Sequence, residues 1–218
     1  MLPIHLTRAS NPATQRLVDF FDPVVKGRDT WGHTLDQILR WDDFRLQAER
    51  DYIQSLFPLP EKMGFANIGP LIDEQTMIMF RRSPQLRGGL MRALKRMLRL
   101  YGFDSQVKDG TAGRLIIAPL ETDCGGWLSW LEPYNHNHPR ITRIIRSLRL
   151  LGLPGAAWDL YRTFIDLYKR RGIIEQPTIT LWTRALLDPV YKALDGTEVD
   201  WLRKYKTEHP DRRYLWQG

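Results

Sequence analysis

Ser83-Pro84-Gln85-Leu86-Arg87-Gly88-Gly89-Leu90-Met91-Arg92-Ala93-Leu94-Lys95-Arg96-Met97-Leu98-Arg99-Leu100-Tyr101-Gly102 decides the fold class. Leu86, Leu90, Leu94 and Leu98 recur every fourth residue and lead to Tyr101. Ser83-Pro84 is a helix start and Gly102 a helix stop. A strand has a side-chain period of two and would scatter this stripe over both faces. The spacing therefore predicts a long amphipathic helix.

The same signals recur on both sides of it. Asn11-Pro12 opens a helix carrying Leu17, Phe20 and Phe21, and Thr34 caps one carrying Leu35, Ile38 and Leu39. Asp42 and Asp43 favour the start of a helix that carries Leu46, Ile53 and Leu56 and ends by Pro58. Asp73 caps Glu74 to Phe80. Downstream, Phe103 to Gly126 is the least regular stretch. Leu115-Ile116-Ile117, flanked by Asp109-Gly110 and Gly113, reads as one strand of a hairpin with no obvious partner. Pro139 at a first helical position opens Ile141, Ile144, Ile145, Leu148 and Leu151, closed by Gly152. Further runs carry Trp158, Tyr161, Phe164, Ile165 and Tyr168, then Leu181 to Leu194 with Pro189 splitting it, then Trp201 to Lys206. The fold class is all-α, a compact multi-helix bundle with at most a minor β hairpin near residues 105–118. Residues 1–29 read as an N-terminal helical extension and 30–218 as a single domain.

Composition narrows the classes. The chain has 218 residues, 43% hydrophobic and 26% charged, which excludes a disordered chain and suits one sizeable core or two small lobes. A single cysteine, Cys124, excludes an internal disulfide framework and a multi-cysteine metal cluster, and suits a reducing compartment. Met1 to Arg8 is too short for a signal sequence, and no run approaches the roughly 18 apolar residues of a membrane span. An intracellular location, cytoplasmic or nuclear, is expected. The formal net charge is +7, with Arg81, Arg82, Arg87, Arg92, Lys95, Arg96 and Arg99 in one run and Arg140, Arg143, Arg146 and Arg149 in another.

Phosphate-loop, dinucleotide, zinc-protease and serine-hydrolase motifs are missing from the sequence. Four weaker constellations remain. Tyr134-Asn135-His136-Asn137-His138-Pro139-Arg140 places polar groups at a helix mouth, where they would meet an anion or carbonyl, or simply cap the helix. Its two histidines lack a third ligand, so no metal site is expected. Trp41-Asp42-Asp43 with Glu49, Arg50, Asp51, Tyr52 and Gln54 sets carboxylates beside an arginine, as acid/base chemistry requires and as a capped, solvated helix start also shows. The Arg81–Arg99 run would touch phosphate or form a solvated face, and it lacks the interleaved aromatics of single-strand binders. Cys124 beside Gly125-Gly126 would be a nucleophile only with a nearby base, and otherwise packs.

Two of these stretches carry a family resemblance. Trp41-Asp42-Asp43 leading to Asp51-Tyr52-Ile53-Gln54-Ser55-Leu56-Phe57-Pro58 is similar to a W-D-D…H-D-Y-I-Q-W-L-F-P signature. His136-Asn137-His138-Pro139-Arg140-Ile141-Thr142-Arg143-Ile144-Ile145-Arg146-Ser147-Leu148 is similar to H-N-x-x-R-I-T-R-I-L-x-S-L. With Met97 to Gly102 and Tyr214-Leu215-Trp216, they resemble the conserved region of the opioid growth factor receptor family, from about residue 30 onward. The resemblance implies a mostly helical domain. The family's named vertebrate member receives an opioid pentapeptide, but transferring that ligand here would rest on fold analogy alone. Three positions depart from the pattern. Arg50 stands where His is usual, Ser55 where Trp is usual, and Pro139 where an apolar residue is usual. Loss of the Trp body at 55 leaves either a repacked core or an open cavity.

The first functional expectation is a small organic ligand or peptide held between the 41–58 helix and the 134–143 loop. Trp41, Tyr52, Gln54, Tyr134, Asn137, His138, Arg140 and Arg143 would contact it. The alternative is a cofactor-independent isomerase, cyclase or lyase in the same pocket, with His136 or Asp51 moving a proton and Arg50 or Arg140 stabilising negative charge. A third reading, ranked below both, is a basic adaptor for nucleic acid or a phosphorylated partner. No cofactor is expected.

Overall fold

The computed structural model describes residues 9, 11–62, 69–108, 113–120, 129–171 and 174–211. Cys124, Asp109-Gly110 and Tyr214-Leu215-Trp216 lie outside the described residues. Among those described, the chain forms ten α-helices and one antiparallel pair of strands, so the all-α expectation holds. The chain divides into two compact units, Met1–Ala93 and Leu94–Gly218.

The first unit holds α1 (Pro12–Phe21), α2 (Leu35–Leu39), α3 (Asp43–Ala48), α4 (Tyr52–Leu56), α5 (Glu74–Arg82) and the start of α6 (Pro84–Leu100). Its helix starts follow local chemistry, because the first N–H groups of a helix need acceptors outside it. The Asn11 side chain accepts from Ala13 N–H at 2.9 Å and that of Asp42 from Arg45 N–H at 2.7 Å. Thr34 and Gln37 form a reciprocal capping box. Asp73 caps α5 through Thr76 N–H at 2.8 Å and reaches α1 by accepting the Thr14 hydroxyl at 2.5 Å. Burial raises the Asp73 pKa, but the bonds from Thr14, Thr76 and Asn11 outweigh it and hold the carboxyl below its ordinary value. The core gathers Leu17, Val18, Phe20 and Phe21 of α1, with the Phe21 ring edge-on to Phe80 at 5.1 Å.

The expected 41–58 helix is two helices, α3 and α4, broken at Glu49-Arg50-Asp51. In an unbroken helix the Leu46 carbonyl would accept from the N–H of residue 50. Here the Tyr52 hydroxyl donates to that carbonyl at 3.0 Å, and Glu49 takes an extended ψ of 143°. The break buries Tyr52 and leaves Arg50 and Asp51 exposed.

The second unit holds the end of α6, β1 (Phe103–Val107), β2 (Leu115–Pro119), a 3-10 turn (Ser129–Leu131), α7 (Asn137–Leu150), α8 (Pro154–Arg171), α9 (Gln176–Leu187) and α10 (Asp200–Glu208). The missing hairpin partner is β1, registered Phe103 opposite Pro119 and Val107 opposite Leu115. Asp159 of α8 clamps the hairpin, accepting from Arg114 Nε at 2.8 Å, Arg114 Nη2 at 2.7 Å and Leu115 N–H at 2.8 Å.

Helix α7 packs against both α8 and α9 and is buried along its whole length except at Pro139. It begins two residues before the expected Pro139, because the Asn135 side chain accepts from Asn137 N–H at 2.9 Å and the Asn135 carbonyl from His138 N–H at 3.0 Å. Neither Asn137 nor His138 is the cap. Pro139 is tolerated as third helical residue, where an N–H would have no partner within the helix. In α8 the buried stripe is Ala156, Ala157, Leu160 and Phe164, so Trp158, expected on that face, is 42% exposed. Helix α9 stops at Leu187, as Pro189 requires.

Candidate functional site

The eleven sequence-expected residues separate by unit: Trp41, Arg50, Asp51, Tyr52 and Gln54 lie in the first, and Tyr134, His136, Asn137, His138, Arg140 and Arg143 in the second. In the first unit, Trp41 and Tyr52 do meet, edge-on at 5.7 Å, and His33 stands edge-on to Trp41 at 5.0 Å. Arg45 lies 3.9 Å from the Trp41 ring centre, a cation–π contact. Gln54 is buried, while Arg50 and Asp51 are exposed. Of the basic run, Arg87 donates to the Phe80 carbonyl at 2.9 Å and to that of Arg81, which closes the end of α5, and Arg92 pairs with Asp36 at 2.6 Å.

In the second unit, Arg140 donates to the Asn137 side chain at 3.2 Å and is buried, as is Arg143. Tyr134 is 89% exposed and its N–H donates to Glu175, while His136 is exposed. His138 is sealed in. Its Nε2 lies 2.8 Å from the Trp130 carbonyl, which can only accept, so Nε2 carries the hydrogen and Nδ1 is the acceptor. Nδ1 faces the Thr178 hydroxyl at 3.4 Å and Glu175 Oε2 at 3.8 Å. Burial pushes the His138 pKa down, against the opposing pull of the Trp130 carbonyl and the Glu175 carboxylate.

That shift has a sign. The unfolded chain takes a proton on His138 as pH falls through about 6.5, whereas the folded chain takes it only at lower pH. Stability of the wild type is therefore lost as pH drops from about 6.5 through the folded pKa. His138→Gln keeps a donor for the Trp130 carbonyl and does not titrate. Urea midpoints at about pH 7.5 and 5.5 are expected to fall further for the wild type than for His138→Gln. Equal falls would mean that His138 is not held neutral.

Of the two outcomes expected for the Ser55 departure, the first unit shows the open one. A cavity of about 90 Å³ opens at Ser55. Leu17 and Phe20 of α1 supply apolar wall, Asp29 and Ser55 polar wall, and Thr30, an exposed residue, also lines it. Trp41 and Tyr52 are not in this wall. Ser55 donates its hydroxyl to Asp29 Oδ2 at 3.0 Å, and Asp29 Oδ1 accepts the N–H groups of Trp31 at 3.0 Å and His33 at 2.9 Å. The last two bonds fold residues 29–33 back on their own aspartate, a turn chemistry that Asp favours. Gly69 closes another side, and a Cβ there would sit 2.1 Å from Gln54 Oε1 and 2.7 Å from Gln54 Cβ. Only glycine allows that approach. Gln54 thus helps shape the cavity through Gly69.

Comparison with known proteins gives the class. The sequence model for the opioid growth factor receptor conserved region matches residues 31–216. The chain belongs to that family. It is 33% identical over 138 residues to the mouse opioid growth factor receptor, covering 62% of this chain and 21% of that protein. It is 27% identical over 190 residues to opioid growth factor receptor-like protein 1 of Xenopus tropicalis, covering 85% of this chain and 35% of that protein. The match thus spans about a fifth to a third of these relatives' lengths. No solved structure matches the chain. Among the described residues, no helix is long and apolar enough to cross a membrane, and no three His, Cys, Asp or Glu residues gather as a metal site.

Proposed function

We propose that this chain is a ligand-binding domain that takes a small organic molecule, or the end of a peptide, into the Ser55 cavity of its first unit. One observation carries the reading: the cavity opens at the position where the family signature has the bulk of tryptophan and this chain has serine. Its wall joins apolar side chains to a few fixed polar groups, the composition of small-molecule sites. The relatives' name, receptor, also favours recognition. Arg50 and Asp51, expected as charge and proton carriers, are exposed and absent from the wall, so the proposal is binding without chemistry. Tyr134, His136, Asn137, His138, Arg140 and Arg143 belong to the second unit and are not needed for it.

The test is mass spectrometry of compounds retained by the purified protein from a small-molecule extract of its source cells. Ser55→Trp fills the cavity and Thr30→Tyr obstructs it from an exposed position. Retention by the wild type and loss in both variants is expected. A Thr30→Tyr protein that melts like the wild type and retains the same compounds, or a wild type that retains nothing, overturns the proposal.

A further inference from the structure

We infer that the Ser55 cavity, if it is the binding site proposed above, is built for the ammonium head of a monocationic amine. The Asp29 side chain is only 2% exposed. Among the described residues, no Lys or Arg forms an ion pair with it, and its one ion-pair partner is His33, 33% exposed, with Nδ1 3.8 Å from Oδ1. A buried carboxylate met by hydrogen bonds but no fixed cation is unfavourable unless something completes it. The two turn bonds from Trp31 and His33 N–H fall on Oδ1, and the Ser55 hydroxyl falls on Oδ2. An ionised carboxylate has about four acceptor positions, so one is left open and Oδ2 is the less committed oxygen.

The hydrogen inventory sets the ligand's polarity. Ser55 spends its single hydrogen on Asp29, so its oxygen offers only lone pairs to anything else. Both polar groups of the buried wall are then acceptors, and one is an anion. A carboxylate, phosphate or carbonyl ligand would meet lone pair with lone pair; an ammonium brings three donors and the missing charge. Leu17 and Phe20, 3% and 2% exposed, suit a short alkyl stem. Arg16 also lines the cavity, but it is exposed and its charge is screened by water, whereas the Asp29 side chain is buried. A second positive charge on the ligand would add to the Arg16 repulsion, which disfavours diamines. The cavity, about 90 Å³, has room for a head and a few carbon atoms.

The probe is butylammonium, protonated at about pH 7, titrated into the isotope-labelled full chain with sodium chloride holding ionic strength constant. The readout is the backbone amide shifts of Trp31, His33 and Ser55. Saturable millimolar binding is expected, with 1-butanol at least about tenfold weaker. Asp29→Asn preserves the shape and is expected to erase the preference for butylammonium; should it not fold, Thr30→Tyr is expected to abolish the shifts. Free trialanine against N-acetylated trialanine separates the sources: binding of the free form points to a peptide's amino end, and failure of both, with butylammonium bound, to a free amine. Equal affinity for butanol and butylammonium, or a preference that survives Asp29→Asn, overturns the ammonium assignment while leaving a ligand cavity in place. Absence of shifts with every probe overturns it too. If butylammonium binds but the extract yields no retained compound, the ammonium site stands and the ligand-receptor reading falls.

Discussion

Trp130→Ala lowers the stability of the second unit by about 3–5 kcal/mol, the usual range for truncating a buried aromatic. The ring is 1% exposed and stacks on Phe164 at 4.7 Å with an interplanar angle of 27°. Tyr101 lies at 5.7 Å and Trp182 at 6.5 Å, so the substitution removes the centre of an aromatic cluster rather than one pair. It also strips the Tyr101 carbonyl of the Nε1–H bond at 3.0 Å. Trp130→Phe separates the two effects: most of the packing survives and the hydrogen bond does not, for a smaller loss of about 1–2 kcal/mol. Urea unfolding with an unchanged slope and a lower midpoint checks both. Since total stabilities run about 5–15 kcal/mol, the alanine variant gives up about a fifth or more of what holds a typical domain together. An alanine variant within about 1 kcal/mol of the wild type would mean that the cluster reorganises around the void.

What could be read in the sequence was what is decided locally. The caps at Asn11, Thr34, Asp42 and Asp73 each close a bond within three residues of the capping side chain, so their chemistry is visible in a short window. The α6 stripe is equally local, and Leu86, Leu90, Leu94 and Leu98 are all fully buried. The break between α3 and α4 was not visible, because Leu46 and Ile53 keep helical spacing and the decision lies with the Tyr52 hydroxyl. Strand β1 was hidden for a related reason. Asp104, Ser105 and Gln106 show no apolar alternation, and only Phe103 of the strand is buried.

The candidate cavity divides in the same way. The Ser55 departure was legible as a change of side-chain volume, and the cavity is there. Its chemistry was not, since Asp29 lies 26 residues from Ser55 and sits in a turn without apolar periodicity. The Asp159 clamp on the hairpin, 45 residues from Arg114, had no signal either. A contact of that sequence separation exists only once the chain has folded, and one sequence carries no record of it.

Arg149→Ala costs about 3–5 kcal/mol, which is the opposite of what a partner-facing basic run would show. Arg140, Arg143, Arg146 and Arg149 recur every third residue of α7 beside Ile141, Ile144, Ile145 and Leu148, a pattern that reads as an apolar face and a charged face. A helix enclosed on all sides breaks that reading, and all four arginines are at most 7% exposed. Arg149 Nη1 donates to the Ala185 carbonyl at 2.8 Å and the Asp188 carbonyl at 3.0 Å. Were α9 to continue, Ala185 would receive the N–H of residue 189, but that residue is proline and has none. Arg149 thus supplies the donor that Pro189 withholds, and Arg146 adds a bond from Nη2 to the Val190 carbonyl at 3.1 Å just beyond. Charge-assisted bonds of this kind are worth about 1.5–3 kcal/mol each, and a buried carbonyl left without its donor adds its own desolvation penalty. Arg149→Met keeps the stem volume and loses only the bonds, so it is expected to fall between alanine and wild type. Urea midpoints for the three proteins measure the series directly. A surface arginine held for an anionic partner would leave all three midpoints together, because exposed side chains contribute within about 0.5 kcal/mol.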